Sequence, residues 1–206
     1  TYSVPVTPKK EGETPVYRSP LTRDNGLSAS PDKELKTMQD VLIASARKFK
    51  NQPYLFSRNK TSGKYESKTF NEVFTAAEEI GSGIINLNLA AIVNEYDNLS
   101  LKLVAVLSKN REEWLLVEYS NFLYGNTMVP LYDTLGSDNI RYILNQTNIV
   151  SIFCSLDGAK NILKLDDFNK LKTLVVFDEI PSDVKDLATA KGINLLTLED
   201  VRAAGR

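Results

Sequence analysis

The sequence predicts an α/β fold, a mainly parallel sheet flanked by helices, with an N-terminal helix and a hairpin ahead of it. Three observations carry this. Five short runs, Leu101–Leu107, Thr127–Tyr132, Ile149–Cys154, Leu171–Phe177 and Ile193–Leu196, are almost continuously apolar, the composition of strands buried on both faces. The segments between them are long enough for the dozen or so residues that a parallel crossover needs. Helix start and stop signals fall inside those segments, and strands alternating with helices mark a sheet covered on both sides.

Each element has its own local reason. Thr37 caps a helix from Met38 to about Lys50, with Met38, Val41, Leu42 and Phe49 at helical spacing. Pro53 ends it. Tyr54–Arg58 and Lys64–Thr69 read as a hairpin about Thr61-Ser62-Gly63. Thr69-Phe-Asn-Glu72 is a capping box that opens a helix to about Leu89. Gly81 and Gly83 lie inside that helix, where each costs about 1 kcal/mol relative to Ala. Close packing against a neighbour is the expected return. Asn110 is the expected N-cap of a helix to about Tyr124 that Gly125 stops. Ser137 caps a helix with Ile140, Ile143 and Leu144 on one face. A further helix covers about Gly158–Leu165, and Pro181 stands near the start of the next. Thr197-Leu-Glu-Asp200 caps the last one.

Residues 1–36 are rich in Pro, Ser, Thr, Lys and Glu without apolar period. They are expected to form an extended arm, with the organised domain over 37–206. The chain begins at Thr1 rather than Met, and its last residues read as a helix cut short. A fragment is expected.

Composition narrows the chemistry. Of 206 residues, 42% are apolar and 25% charged, so a sizeable core can be buried. The 25 basic and 26 acidic side chains nearly cancel, giving no field to draw nucleic acid or anionic lipid. With no histidine and a single cysteine, Cys154, zinc sites, Ser-His-Asp triads, Cys-His dyads and internal disulfides are excluded within this chain. One cysteine suits an intracellular protein. No stretch approaches the roughly 18 to 20 apolar residues of a membrane-spanning helix. No G-x-G-x-x-G turn joins a strand to a helix.

Residues Ala105–Gly136 read AVLSKNREEWLLVEYSNFLYGNTMVPLYDTLG. A strand ending in Leu-Ser, then Asn110-Arg-Glu-Glu-Trp114, then Val129-Pro-Leu-Tyr-Asp-Thr-Leu-Gly136, resembles the eukaryotic long-chain fatty acyl-CoA synthetases of the adenylate-forming ligase superfamily. The similarity runs over about Met38–Arg206, the leading part of that family's large N-terminal domain. It implies a two-step ligase. A fatty acid carboxylate attacks the α-phosphate of ATP, and coenzyme A then displaces AMP from the acyl-adenylate. It further implies Mg2+ for the first step, and the fatty acid, ATP, CoA and the rest of the same polypeptide as partners. The implied location is cytoplasmic or peripheral on the membranes of the endoplasmic reticulum, peroxisome or mitochondrial outer membrane, with no nucleic acid partner.

The family's phosphate-holding Ser/Thr/Gly loop has no counterpart here. Thr61-Ser-Gly-Lys64 has suitable residue types, but a hairpin turn explains it better. The family's later adenine, magnesium and ribose motifs and its small C-terminal domain are not seen either. No catalytic residue and no metal ligand is therefore assigned. Candidates for substrate contact are Tyr132, Asp133 and Thr134, at the C-terminal end of a strand, where open α/β sheets bind ligands. The alternative for Asp133 and Thr134 is a turn, which their residue types favour. Tyr132 either lines a crevice or fills core. Trp114 reads as a buried packing anchor and Cys154 as an inert buried thiol. Glu112, Glu113 and Glu118 read as helix-start and surface charges, and Asp166-Asp167 as a solvated loop. A competing reading of the whole is a stand-alone, non-catalytic binding or assembly module on the same fold.

Overall fold

The computed structural model describes residues 2–27, 32–59, 61–95, 99–167 and 170–206. The chain divides into two compact units, Thr1–Val41 and Leu42–Arg206. In the first, strands β1 (Val4–Pro5) and β2 (Tyr17–Arg18) pair antiparallel. A 3-10 turn over Pro20–Thr22 follows, its first free amide held by the Ser19 side chain. Thr37 Oγ1 accepts from Asp40 N–H while Asp40 Oδ2 accepts from Thr37 N–H. This reciprocal cap opens α1 (Met38–Phe49), which continues into the second unit.

In the second unit, β3 (Pro53–Arg58) and β4 (Tyr65–Thr69) form their own antiparallel sheet. The turn between them closes on Asn59, whose Oδ1 accepts from the Thr61 and Ser62 amides. Gly63 supplies the positive φ of 69°. Those amides are spent on the turn, as a hairpin requires. Helix α2 (Phe70–Asn86) starts on the Thr69–Glu72 capping box.

The main sheet has six strands: β5 (Ala91–Glu95), β6 (Leu99–Leu107), β7 (Thr127–Leu131), β8 (Ser151–Cys154), β9 (Thr173–Val176) and β10 (Asn194–Thr197). Its order is β10-β9-β8-β6, with β7 pairing residues 103–107 of β6 and β5 pairing residues 99–103. The five strands anticipated from their apolar runs are mutually parallel. The sixth, β5, is antiparallel; it was not anticipated, its apolar run Leu89–Val93 merging with the end of the α2 pattern.

Helices α3 (Glu112–Tyr124), α4 (Ser137–Thr147), α5 (Leu156–Leu163), α6 (Ser182–Ala190) and α7 (Leu198–Gly205) connect and follow the strands. Side-chain alternation divides the core. Ala105, Leu107, Ile152, Cys154, Leu174 and Val176 face α4, α5 and α6. Val104, Val106, Phe153 and Val175 face α2, α3 and α7. The result is a three-layer α/β/α sandwich.

Several boundaries differ from the sequence reading. Arg111, not Asn110, is the N-cap residue of α3, and Gly136, not Ser137, is that of α4; neither makes a side-chain cap bond. Helix α5 starts earlier than expected because Ser155 caps it, accepting from Gly158 N–H at 3.2 Å. Gly125 stops α3 as expected, with φ of 67°. Trp114 packs on the second cluster but is only half-buried. Its place in the first turn of α3 puts it at the rim. Cys154 is fully buried and its thiol is pushed well up by that burial.

The glycines of α2 are contact points. A Cβ on Gly83 would lie 1.9 Å from the Val201 carbonyl oxygen of α7, and one on Gly81 would lie 2.1 Å from the Tyr124 ring. From the α7 side, a Cβ on Gly205 would lie 1.9 Å from the Glu79 carbonyl oxygen. Backbone therefore meets backbone, and Arg202 closes the seam on Glu79 at 2.6 Å.

Gly83→Ala gains about 1 kcal/mol in helix propensity. It also forces α7 away, a strain that overpacking data put at about 1–3 kcal/mol or more. Strain wins because the obstacle is backbone. We expect a net loss for Gly83→Ala and a smaller one for Gly81→Ala, where a ring can swing aside. Urea melts of the three proteins check the order, and coincident midpoints would contradict it. Trp114→Ala should cost about 2 kcal/mol, under the ~3–5 kcal/mol of a fully buried aromatic, by the same measurement.

Candidate functional site

The parallel strands run β7-β6-β8-β9-β10 across the sheet, so the chain goes outward from β6 to β7, then returns to the other side of β6 for β8. That reversal is a topological switch point, and the space beyond the carboxyl ends of β6 and β8 is where open α/β sheets place ligands. A cleft of about 1330 Å³ lies there. Its walls are Leu107–Glu113 after β6, Ser155–Gly158 after β8, Asp178, Glu179 and Pro181 after β9, Asp133 after β7, and Leu55–Arg58 of the hairpin.

Arg111 is the centre of this region. Its Nε and Nη2 donate to Glu113 at 2.7 and 2.8 Å, and its Nη1 donates to both Asp178 oxygens at 3.0 Å. The guanidinium carbon stands 5.2 Å from the centroid of Phe177. Asp178 Oδ2 also accepts from Leu156 N–H, the first residue of α5, at 2.8 Å. Glu113 sits in the first turn of α3. Both carboxylates therefore meet the positive ends of helices as well as the arginine.

The protonation states follow. Burial works to raise the Glu113 carboxyl, but the Arg111 hydrogen bonds, its own backbone N–H and the arginine charge outweigh it and hold it low. Hydrogen bonds from Arg111 to Glu113, then to Asp178, push the guanidinium up against the opposing effect of burial. Arg111 is held as a cation and Glu113 as an anion beside it.

Around this clasp, Glu112 bonds the hairpin: Ser57 Oγ donates at 3.2 Å and Lys68 Nζ lies at 2.5 Å. Gly158 lets α5 close on β6, since a Cβ there would lie 2.8 Å from the Leu107 carbonyl oxygen. The lining holds three basic side chains, Arg58, Lys109 and Arg111, against six acidic ones, Glu112, Glu113, Asp133, Asp157, Asp178 and Glu179.

Of the residues singled out in the sequence for substrate contact, Asp133 lines the cleft, 4.0 Å from Lys109 Nζ. Tyr132 is 67% exposed, and Thr134 is exposed and outside the lining. Leu135 N–H donates to the Tyr132 carbonyl, so all three sit in a turn. Glu113, read as a helix-start charge, is one, and is also half of the clasp. Asp178 went unnoticed: its only signal in the sequence is an acidic residue one step beyond an apolar strand. Among the described residues no group of three or more His, Cys, Asp or Glu could hold a metal ion.

A carboxyl held below its unfolded value stabilises the fold above that value, and the contribution is lost as pH falls through the folded one. For Glu113 the loss begins below about pH 4.3, the ordinary glutamate value. Glu113→Gln should therefore be less stable than wild type near neutrality, and the gap should close on acidification. Urea melts between about pH 6 and about pH 3 measure it. A gap independent of pH would mean that the charge is not what holds the clasp.

Comparison with known proteins places this architecture. Residues 42–200 match the family model described as AMP-binding enzyme. Fatty acyl-CoA synthetase B of Dictyostelium discoideum is 28% identical over 99% of this chain and 30% of its own length. The peroxisomal long chain acyl-CoA synthetase 7 of Arabidopsis thaliana is 29% identical over 100% of this chain and 29% of its own. The chain thus spans under a third of these relatives. Among solved structures, the adenylation domain of a carboxylate reductase from Mycobacterium chelonae superposes with a TM-score of 0.66 at 16% identity, over 86% of this chain and 30% of that one. Such low identity speaks for the fold alone, which this chain shares with part of that adenylation domain. The matched residues cover most of both the sandwich and the cleft, and the chain belongs to the AMP-binding enzyme family.

Proposed function

We propose that this chain is the leading portion of a long-chain fatty acid–CoA ligase, which joins a fatty acid to coenzyme A through an acyl-adenylate at the expense of ATP. The observation that carries the reading is similarity to acyl-CoA synthetases across practically the whole chain. In that reaction the fatty acid carboxylate attacks the α-phosphate of ATP, pyrophosphate leaves, and the CoA thiol displaces AMP. Mg2+ would neutralise phosphate charge in the first step.

The residues present do not fit ATP or its metal by themselves. The cleft lining is acidic on balance, which repels a triphosphate. Arg111 is committed to two carboxylates. We therefore place phosphate and magnesium binding, and the catalytic groups, in the remainder of a longer polypeptide. This chain supplies the sheet, the cleft floor and the seam of α2 with α7. Tyr132, Asp133 and Thr134 remain the candidates for substrate contact, Asp133 being the one of the three in the cleft lining. Residues 1–36 are an arm, and 37–206 the leading part of the large N-terminal domain. The location we propose is intracellular, on organelle membranes by peripheral association, in line with the peroxisomal relative. Among the described residues no helix is long and apolar enough to cross a membrane.

The test is turnover. Purified 206-residue chain, given a long-chain fatty acid, MgATP and CoA, should form no acyl-CoA and release no pyrophosphate. A polypeptide extending this chain to the length of its relatives should do both, with dependence on ATP and magnesium. Inactivity of the extended polypeptide would favour the non-catalytic module. Turnover by the chain alone would show that its cleft holds the chemistry.

A further inference from the structure

We propose that Arg111 is a positioning residue that, with Glu113 and Asp178, fixes the carboxyl ends of β6, β8 and β9 as one rigid wall of the cleft, and that it does not bind the phosphates. This rests on the ligase reading above.

The geometry makes the case. Three neighbouring strands end in three separate loops. Arg111 follows β6, Leu156 follows β8 and Asp178 follows β9. Four hydrogen bonds of the guanidinium and one from the Leu156 amide tie them through two carboxylates. The fork reaches two acids in different directions at once, which a lysine ammonium cannot reproduce. The arginine side chain is 25% exposed, and Glu113 and Asp178 are 25% and 29% exposed, so solvent competes only in part. An arginine at a switch point invites assignment as a phosphate ligand. Here all three of its nitrogens already donate to protein carboxylates, and two negative charges stand beside it. A phosphate would have to displace a carboxylate held by a helix N-terminus.

The two roles separate kinetically. A phosphate ligand shows in the KM for ATP, whereas a wall that must be in place for chemistry shows in kcat. The variants are Arg111→Lys and Asp178→Asn in the polypeptide extended to the length of its relatives. Each should retain a cooperative melt and lose about tenfold or more in kcat, with the KM for ATP within about twofold of wild type. The double variant should be little worse than either alone, because one clasp is broken in each. A rise in the KM for ATP with kcat unchanged, or no change in either, overturns the proposal. Should the extended wild type make no acyl-CoA, the ligase reading fails, and the clasp is judged on the 206-residue chain by amide exchange. Arg111→Lys should then speed exchange at Leu156 by about tenfold while Val104, Ile152 and Leu174 keep their protection. Equal protection at Leu156 in both proteins, or an equal loss everywhere, refutes a local clasp.

Discussion

Residues Leu103–Leu107 are enclosed from every side, and the rest of the second unit follows from that. Strands β7 and β8 flank them in the sheet, and helices cover both faces. None of the five is more than 4% exposed. A segment Leu-Val-Ala-Val-Leu has no polar face to show to water, so it stays in the middle of a sheet with both faces covered. Parallel neighbours then require crossovers, and the crossovers become the covering helices. Small residues complete the arrangement where backbones must approach. Gly158 brings α5 down on the Leu107 carbonyl, and Gly83 and Gly205 bring α2 and α7 together.

What could be read from the sequence divides along the same line. The parallel strands were legible because burial on both faces leaves continuous apolar runs. Glycines inside a helix were legible as packing features because propensity gives no other reason for them. Strand β5 was not. Ala91-Ile-Val-Asn-Glu95 is separated from the end of α2 by four residues and pairs with the first half of β6, so its identity depends on how far β6 extends. Trp114 was read as deeper than it is, because residue type says nothing of distance from the rim. In the N-terminal unit, the pairing of Val4–Pro5 with Tyr17–Arg18 rests on two residues a side, too few for any period to register.

The cleft was legible only as a place. Strand ends after an alternating pattern mark where open α/β sheets place ligands, and Asp133, at such an end, lines the cleft. The clasp was not, because its partners stand 67 residues apart. Local sequence shows Arg111 and Glu113 two apart, a spacing that brings no side chains together on a helix. They meet because Arg111 is still extended, with φ of −158° and ψ of 166°, when the helix begins. A long-range ion pair at a helix boundary leaves a trace only in the two charges themselves, and this chain has 51 acidic and basic residues to choose from, 26 plus 25.

The same geometry leaves the switch-point cleft with a lining that is acidic on balance. In many α/β proteins the helix after the strand at this point offers bare amides to an anion. Here α5 is satisfied from within. Ser155 Oγ takes the Gly158 amide and Asp178 takes the Leu156 amide. A carboxylate already occupies the place a phosphate would take, and a second one, Glu113, neutralises the arginine beside it. The hairpin turn near Ser62 is closed off likewise, its amides bound by Asn59. At these two places the fold's own side chains take the amides an anion would need, whereas α3, α4 and α6 start without a side-chain cap bond.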